Sequence, residues 1–162
     1  ANADLAVAVS PRGDLAASVG PFGTVTVWDI GHEEPRQLHS FPGTARAYGL
    51  AFSPNQKLLA TTEDFRNGTL KLCDLENGTC RTWKGHASSV NAITFSPSGN
   101  RLVTGSADRS MKFWDIDTLE EVGVIRSTRQ IQRLNFLSDG KSLVKAGLAG
   151  YAKILSARSR AD

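Results

Sequence analysis

At 162 residues the chain is long enough for one compact domain with a core, and its 40% apolar and 22% charged residues are those of an ordinary globular protein. The net charge of +3 is spread over interleaved acids and bases, and the one basic cluster, ARSR at 157–160, is too short for a nucleic-acid groove and reads as a solvated tail. No apolar run approaches the roughly 18–20 residues that carry a helix across a bilayer, and no signal-peptide pattern opens the chain.

In chain order, short apolar runs alternate with turn residues. AVAV (6–9) passes through Ser10-Pro11-Arg12-Gly13 into LAAS (15–18), then TVTVWDI (24–30), then QLHSF (37–41). A second unit follows as GLAF (49–52), LLAT (58–61), TLKLCDL (69–75) and CRTWK (80–84). The third is VNAITF (90–95), RLVT (101–104), MKFWDI (111–116) and EVGVI (121–125). The fourth has RLNF (133–136), SLVK (142–145) and AKIL (152–155), with no fourth run. Val9, Phe52, Phe95 and Phe136 form one column, 43, 43 and 41 residues apart. Trp28, Cys73, Trp114 and Leu155 form another, 45, 41 and 41 apart. Two columns with one period define an internal repeat. No stretch sustains a 3.6-residue period, so almost no helix is expected.

Three local expectations go with this pattern. Asn67-Gly68 and Asn77-Gly78 begin Asn-Gly-Thr sequons but read as turns, the second as a two-residue hairpin turn within Glu76-Asn77-Gly78-Thr79. Cys73 and Cys80 make neither a disulfide framework nor a metal knuckle, and read as buried free thiols in a reducing compartment. His86, with Thr104 or Ser106 and Asp108, holds the residue types of a nucleophilic triad. No Gly-x-Ser-x-Gly elbow accompanies them, however, and a Thr between Val103 and Gly105 inside a strand is a poor nucleophile.

Units of about 40–45 residues with four strands, the third closed by Trp-Asp, mark propeller blades. Gly85-His86, Trp114-Asp115, Ser96-Pro97, Asp108 and Trp28-Asp29 make the chain resemble the WD-repeat (Trp-Asp repeat) β-propeller family along nearly its whole length. The resemblance implies an all-β fold of four blades at about 5–41, 46–84, 89–125 and 130–156, a tail at 157–162, and a place within a seven- or eight-bladed ring. It further implies a structural hydrogen-bonded tetrad of His86, Thr104, Asp108 and Trp114. The other units degrade that pattern: the first keeps Ser18 and Trp28 but has Phe22 for Asp. The second keeps Thr61 but has Cys73 for Trp, and the fourth has Lys145, Ala149 and Leu155 in the three columns.

The function expected from this resemblance is a non-catalytic protein-interaction scaffold, intracellular (cytoplasmic), with a protein or peptide partner. Neither cofactor, metal nor membrane is expected. The chain is expected to be the C-terminal portion of a larger propeller, completed by another chain or by a second copy. Family members often dock partners on the loops before the first strand and after the second. Here those positions give Phe22, Arg46, Tyr48, Arg66, Ser89, Asn91, Arg109, Gln130 and Gln132. Arg and Tyr are favoured interface anchors, which puts Arg46, Tyr48 and Arg109 first. The alternative, an anion- or nucleic-acid-binding surface, requires Lys and Arg gathered on one face.

Overall fold

The computed structural model describes residues 6–43, 47–63, 67–148 and 150–156. Arg46, Arg66, Ala149 and the 157–162 tail lie outside them. The described residues form fifteen strands: β1 Val7–Val9, β2 Leu15–Val19, β3 Val25–Asp29, β4 Arg36–Phe41, β5 Leu50–Phe52, β6 Leu58–Thr62, β7 Thr69–Asp74, β8 Cys80–Lys84, β9 Val90–Phe95, β10 Arg101–Ser106, β11 Ser110–Asp115, β12 Glu121–Arg126, β13 Arg133–Phe136, β14 Ser142–Gly147 and β15 Tyr151–Ser156. The only helical element among the described residues is a 3-10 turn at Pro21–Gly23. The strands form three four-stranded sheets and one three-stranded sheet, each an antiparallel meander in sequence order.

The turns are built by the residues that punctuate the sequence. In the first three sheets the Ser of Ser-Pro caps the turn between first and second strands. Its Oγ accepts the N–H of Leu15 (3.0 Å), Leu58 (2.9 Å) or Arg101 (3.1 Å). The fourth sheet lacks that Ser, and Asp139 replaces it by accepting the N–H groups of Lys141 and Ser142. Gln56 holds a left-handed φ of +62° in the second of these turns, and its Oε1 accepts the Arg12 N–H from the first. Adjacent turns are clasped in this way.

Because side chains alternate along a strand, each sheet carries two apolar faces, and neighbours share them. Ala17, Val19, Val25 and Val27 of the first sheet meet Phe52, Leu59 and Cys73 of the second. Leu70 and Leu72 meet Phe95, Leu102 and Trp114. Val103 and Met111 meet Ile131, Leu134 and Leu143. Leu59, Leu70 and Leu102 are fully buried, each contributing roughly 1.5–3 kcal/mol relative to exposure. The innermost strands β1, β5, β9 and β13 contact one another in succession. The sheets therefore stack as propeller blades that do not close. The two outward faces expose apolar residues, Val7 and Val9 on the first blade and Ile154 on the fourth.

Two expectations are corrected. The β7–β8 hairpin has a four-residue loop, Leu75–Gly78, closed by hydrogen bonds from Asp74 N–H to Thr79 O (2.8 Å) and from Gly78 N–H to Asp74 O (3.0 Å). A two-residue turn would have set Cys73 opposite Thr82; the longer loop sets it opposite Cys80. The Cα atoms of this pair lie 4.0 Å apart and the sulfurs form a disulfide, with Cys80 on the exposed outer strand. The cysteines are thus not buried free thiols, and the argument they gave for a reducing compartment goes with that reading.

Candidate interaction face

The ingredients of a triad sit in the third blade. His86 lies in the link between β8 and β9, Thr104 on β10, Asp108 in the turn after it, and Trp114 on β11. Thr104 Oγ1 accepts the Trp114 Nε1–H at 2.8 Å and lies 2.7 Å from His86 Nε2. On the other side of the ring, His86 Nδ1 lies 2.9 Å from Asp108 Oδ2 and 3.0 Å from Ser110 Oγ. One proton assignment satisfies the whole chain: Trp114 donates to Thr104, Thr104 to Nε2, and Nδ1–H to Asp108. Gly85 permits this, because a Cβ there would lie 2.6 Å from Leu70 Cδ1 and 3.0 Å from Trp114 Cζ2.

Electrostatics follow the geometry. Burial pushes the His86 pKa below its ordinary 6.5, against the opposing pull of Asp108, so the ring is neutral. Burial acts to raise the Asp108 pKa. Hydrogen bonds from Ser110 and the Ala87 N–H, with His86, overcome that and hold it at about 2. His86 and Thr104 are buried at 2% and 0% exposure. A hydroxyl so enclosed, already shared by two partners, offers no path to a substrate. Ser110 is a further member of the network. Its short side chain two residues past Asp108, donating to Asp108 Oδ1 at 2.6 Å, was the available signal for it.

The other blades hold weaker versions. In the first, Trp28 Nε1 donates to Ser18 Oγ at 3.4 Å. In the second, Thr61 Oγ1 donates to the Thr62 carbonyl, and Cys73 is taken by the disulfide. In the fourth, Lys145 stands in the Thr104 column, and its Nζ donates 3.0 Å to Ser127 Oγ.

Arg46 and Arg66 lie outside the described residues; of the other expected contact positions, all but Phe22 line two cavities. Tyr48, Ser89, Asn91 and Gln132 line one cavity of about 370 Å³ together with Arg133. Arg109 and Gln130 line another of about 270 Å³ with Thr128, Arg129 and Leu148, between the third and fourth blades. Phe22 stands apart on the first blade, 81% exposed. Asn91 Nδ2 also donates to Ile131 O, joining two blades at the inner rim. Arg129, Thr128 and Arg133 were not among the sequence candidates; they flank Gln130 and Gln132, and alternate-residue counting skipped them. Among the described residues no group of three or more His, Cys, Asp or Glu is placed to hold a metal, and no helix is long and apolar enough to cross a membrane.

Stacked four-stranded meanders, stapled through a Gly-His, a strand hydroxyl, a turn Asp and a Trp-Asp, define a β-propeller made of Trp-Asp repeats. The family model of the WD domain, G-beta repeat, matches residues 35–74 and 77–115. The chain belongs to the WD-repeat family. Each match runs from the fourth strand of one blade to the third strand of the next, β4 to β7 and β8 to β11. The chain is also similar to Protein groucho of Drosophila melanogaster, 30% identical over 139 residues. The aligned region is 85% of this chain and 18% of that relative's length.

Proposed function

We propose that the chain is a non-catalytic protein-interaction scaffold whose loop face receives a protein or peptide partner. The supporting observation is a division of labour within the third blade. Its reactive side chains are consumed by internal hydrogen bonds, while Arg109, next to Asp108, lines an open cavity. The neighbouring cavity at Tyr48, Asn91, Gln132 and Arg133 extends this surface toward a cavity of about 670 Å³ among the innermost strands, lined by Val7, Leu50, Ile93 and Leu134. Loops on a rigid β scaffold are where such folds carry recognition. The exposed apolar outer faces of the first and fourth blades are the surfaces against which further blades pack, whether from the same protein, another chain or a second copy.

Affinity capture with quantitative mass spectrometry tests the face. Proteins held by the wild type are lost with Tyr48→Ala and Asn91→Ala and kept with Lys57→Ala and Lys141→Ala, which alter turns between first and second strands. Partners indifferent to the first pair, or lost with the second, overturn the assignment.

A further inference from the structure

The four turns between second and third strands share one left-handed position, five residues before the Trp column. Gly23, Gly68 and Gly150 occupy it with φ of +79°, +70° and +71°. In the third blade it is held by Arg109, at φ +67°. A long cationic side chain thus stands where three sister turns use glycine, a conformation that L side chains disfavour. It lies on the rim of the cavity between the third and fourth blades.

The fourth blade contributes a second departure beside it. Lys145 and Ser127 stand where the third blade has Thr104 and His86. The Lys145 ammonium, on a residue only 5% exposed, has one hydrogen-bond acceptor, Ser127 Oγ, and lies 6.0 Å from the Tyr151 ring centroid. Arg129 approaches the same ring at 5.7 Å, and the Arg109 carbonyl accepts the Ser127 N–H at 2.7 Å. Segment 127–130 therefore carries Arg129, meets Lys145 through the Ser127 hydroxyl and Arg109 through its backbone carbonyl, and shares a cavity lining with Arg109.

Two other buried or half-buried lysines of the sheets are neutralised: Lys71 pairs with Glu63 (2.7 Å) and Lys112 with Glu121 (2.8 Å). Among the described residues no carboxylate pairs with Arg109, Arg129 or Lys145. Asp108, the acid nearest in sequence, is turned inward onto His86, Ser110 and the Ala87 N–H. The cavity adds two neutral groups that can donate, the Thr128 hydroxyl and the Gln130 amide, and an exposed apolar neighbour, Leu148.

We propose that this cleft binds a phosphorylated side chain of a protein partner, a proposal that rests on the interaction-face reading above. Two guanidinium forks suit the phosphate monoester oxygens, the buried ammonium sustains a positive potential behind them, and Leu148 receives an apolar residue flanking the phosphorylated one. The cleft is small, and its cations come from two blades. It therefore selects one anionic group on a peptide rather than the repeating backbone of a nucleic acid.

The test uses fluorescence polarisation with a degenerate peptide library fixed at a central phosphothreonine, beside matched threonine and glutamate libraries and a single-stranded oligonucleotide. The phosphothreonine library binds about tenfold or more tighter than either matched library. Arg129→Gln and Arg109→Gly each remove that preference, as Lys145→Met weakens it, while Lys153→Gln on exposed β15 leaves it intact. Arg109→Gly returns the turn to its sister sequence and does not lower the melting temperature, so its effect on binding is separable from folding. Equal binding of all peptide libraries, a preference that survives Arg109→Gly and Arg129→Gln, or oligonucleotide binding lost with the same variants overturns the proposal. Captured partners that depend on Tyr48 and Asn91 but ignore phosphatase treatment overturn it while leaving the scaffold reading in place.

Discussion

Thr104→Val changes one hydroxyl to a methyl in a strand where either residue is at home. The hydroxyl accepts from Trp114 at 2.8 Å and lies 2.7 Å from His86 Nε2, and its residue is fully buried. Valine leaves an indole N–H and an imidazole nitrogen without partners. A buried polar group left unsatisfied costs roughly 1–3 kcal/mol, so the pair costs about 3 kcal/mol. For a chain of this size each kcal/mol lowers Tm by about 2–4 °C, giving a fall of about 6–12 °C. The matched control is Thr61→Val in the second blade, where the hydroxyl donates only to the Thr62 carbonyl at 3.0 Å. It costs about 1 kcal/mol, the worth of one neutral hydrogen bond. Calorimetry on both variants reads the difference directly. Equal shifts would refute the view that the third blade is held by a linked set rather than by one more buried threonine.

Two further outcomes are expected. The unfolded chain binds protons at His86 and Asp108 more readily than the folded one, since both folded pKa values are depressed. Stability is therefore fully present above the ordinary histidine value of 6.5. It falls as pH drops through that value, and falls again between about 4 and 2. Denaturant titrations at pH 7, 5 and 3 show this, and Asp108→Asn loses the lower step. The disulfide closes a hairpin between residues 7 apart in sequence, and its constraint on the unfolded chain is worth about 2 kcal/mol. A thiol reductant thus lowers the Tm of the wild type but not of Cys80→Ser; equal sensitivity in the two would refute the contribution.

Much of the architecture was legible because turn chemistry and the Phe and Trp columns recur. Ser-Pro turns and Trp-Asp endings located the strands, and Gly85-His86 with Asp108 located the network in the third blade. The disulfide was hidden by loop length. Asn77-Gly78 satisfies the residue preferences of a two-residue turn, yet Asp74, which accepts from Glu76 and Asn77 through Oδ1, organises a four-residue loop. The third blade shows the same device: Asp115 Oδ1 accepts from Asp117 and Thr118, and Leu119 takes the left-handed position at φ +60°. A shift of one residue on each strand is enough to separate two cysteines in a paper alignment. The cationic cleft was hidden for another reason. Arg109, Arg129 and Lys145 lie on three elements of two blades, and only packing shows that no acid among the described residues pairs with them.

The mismatch between sequence repeat and sheet has a genetic consequence. A repeat running from the outer strand of one blade through the three inner strands of the next never encodes a whole sheet. If one such segment is duplicated or deleted in frame, the blade before it exchanges one outer strand for another, and the number of blades changes by one. No sheet inside the array is left short and no new edge is opened. A lineage carrying this chain can therefore lengthen or shorten its propeller in whole blades by recombination between repeats.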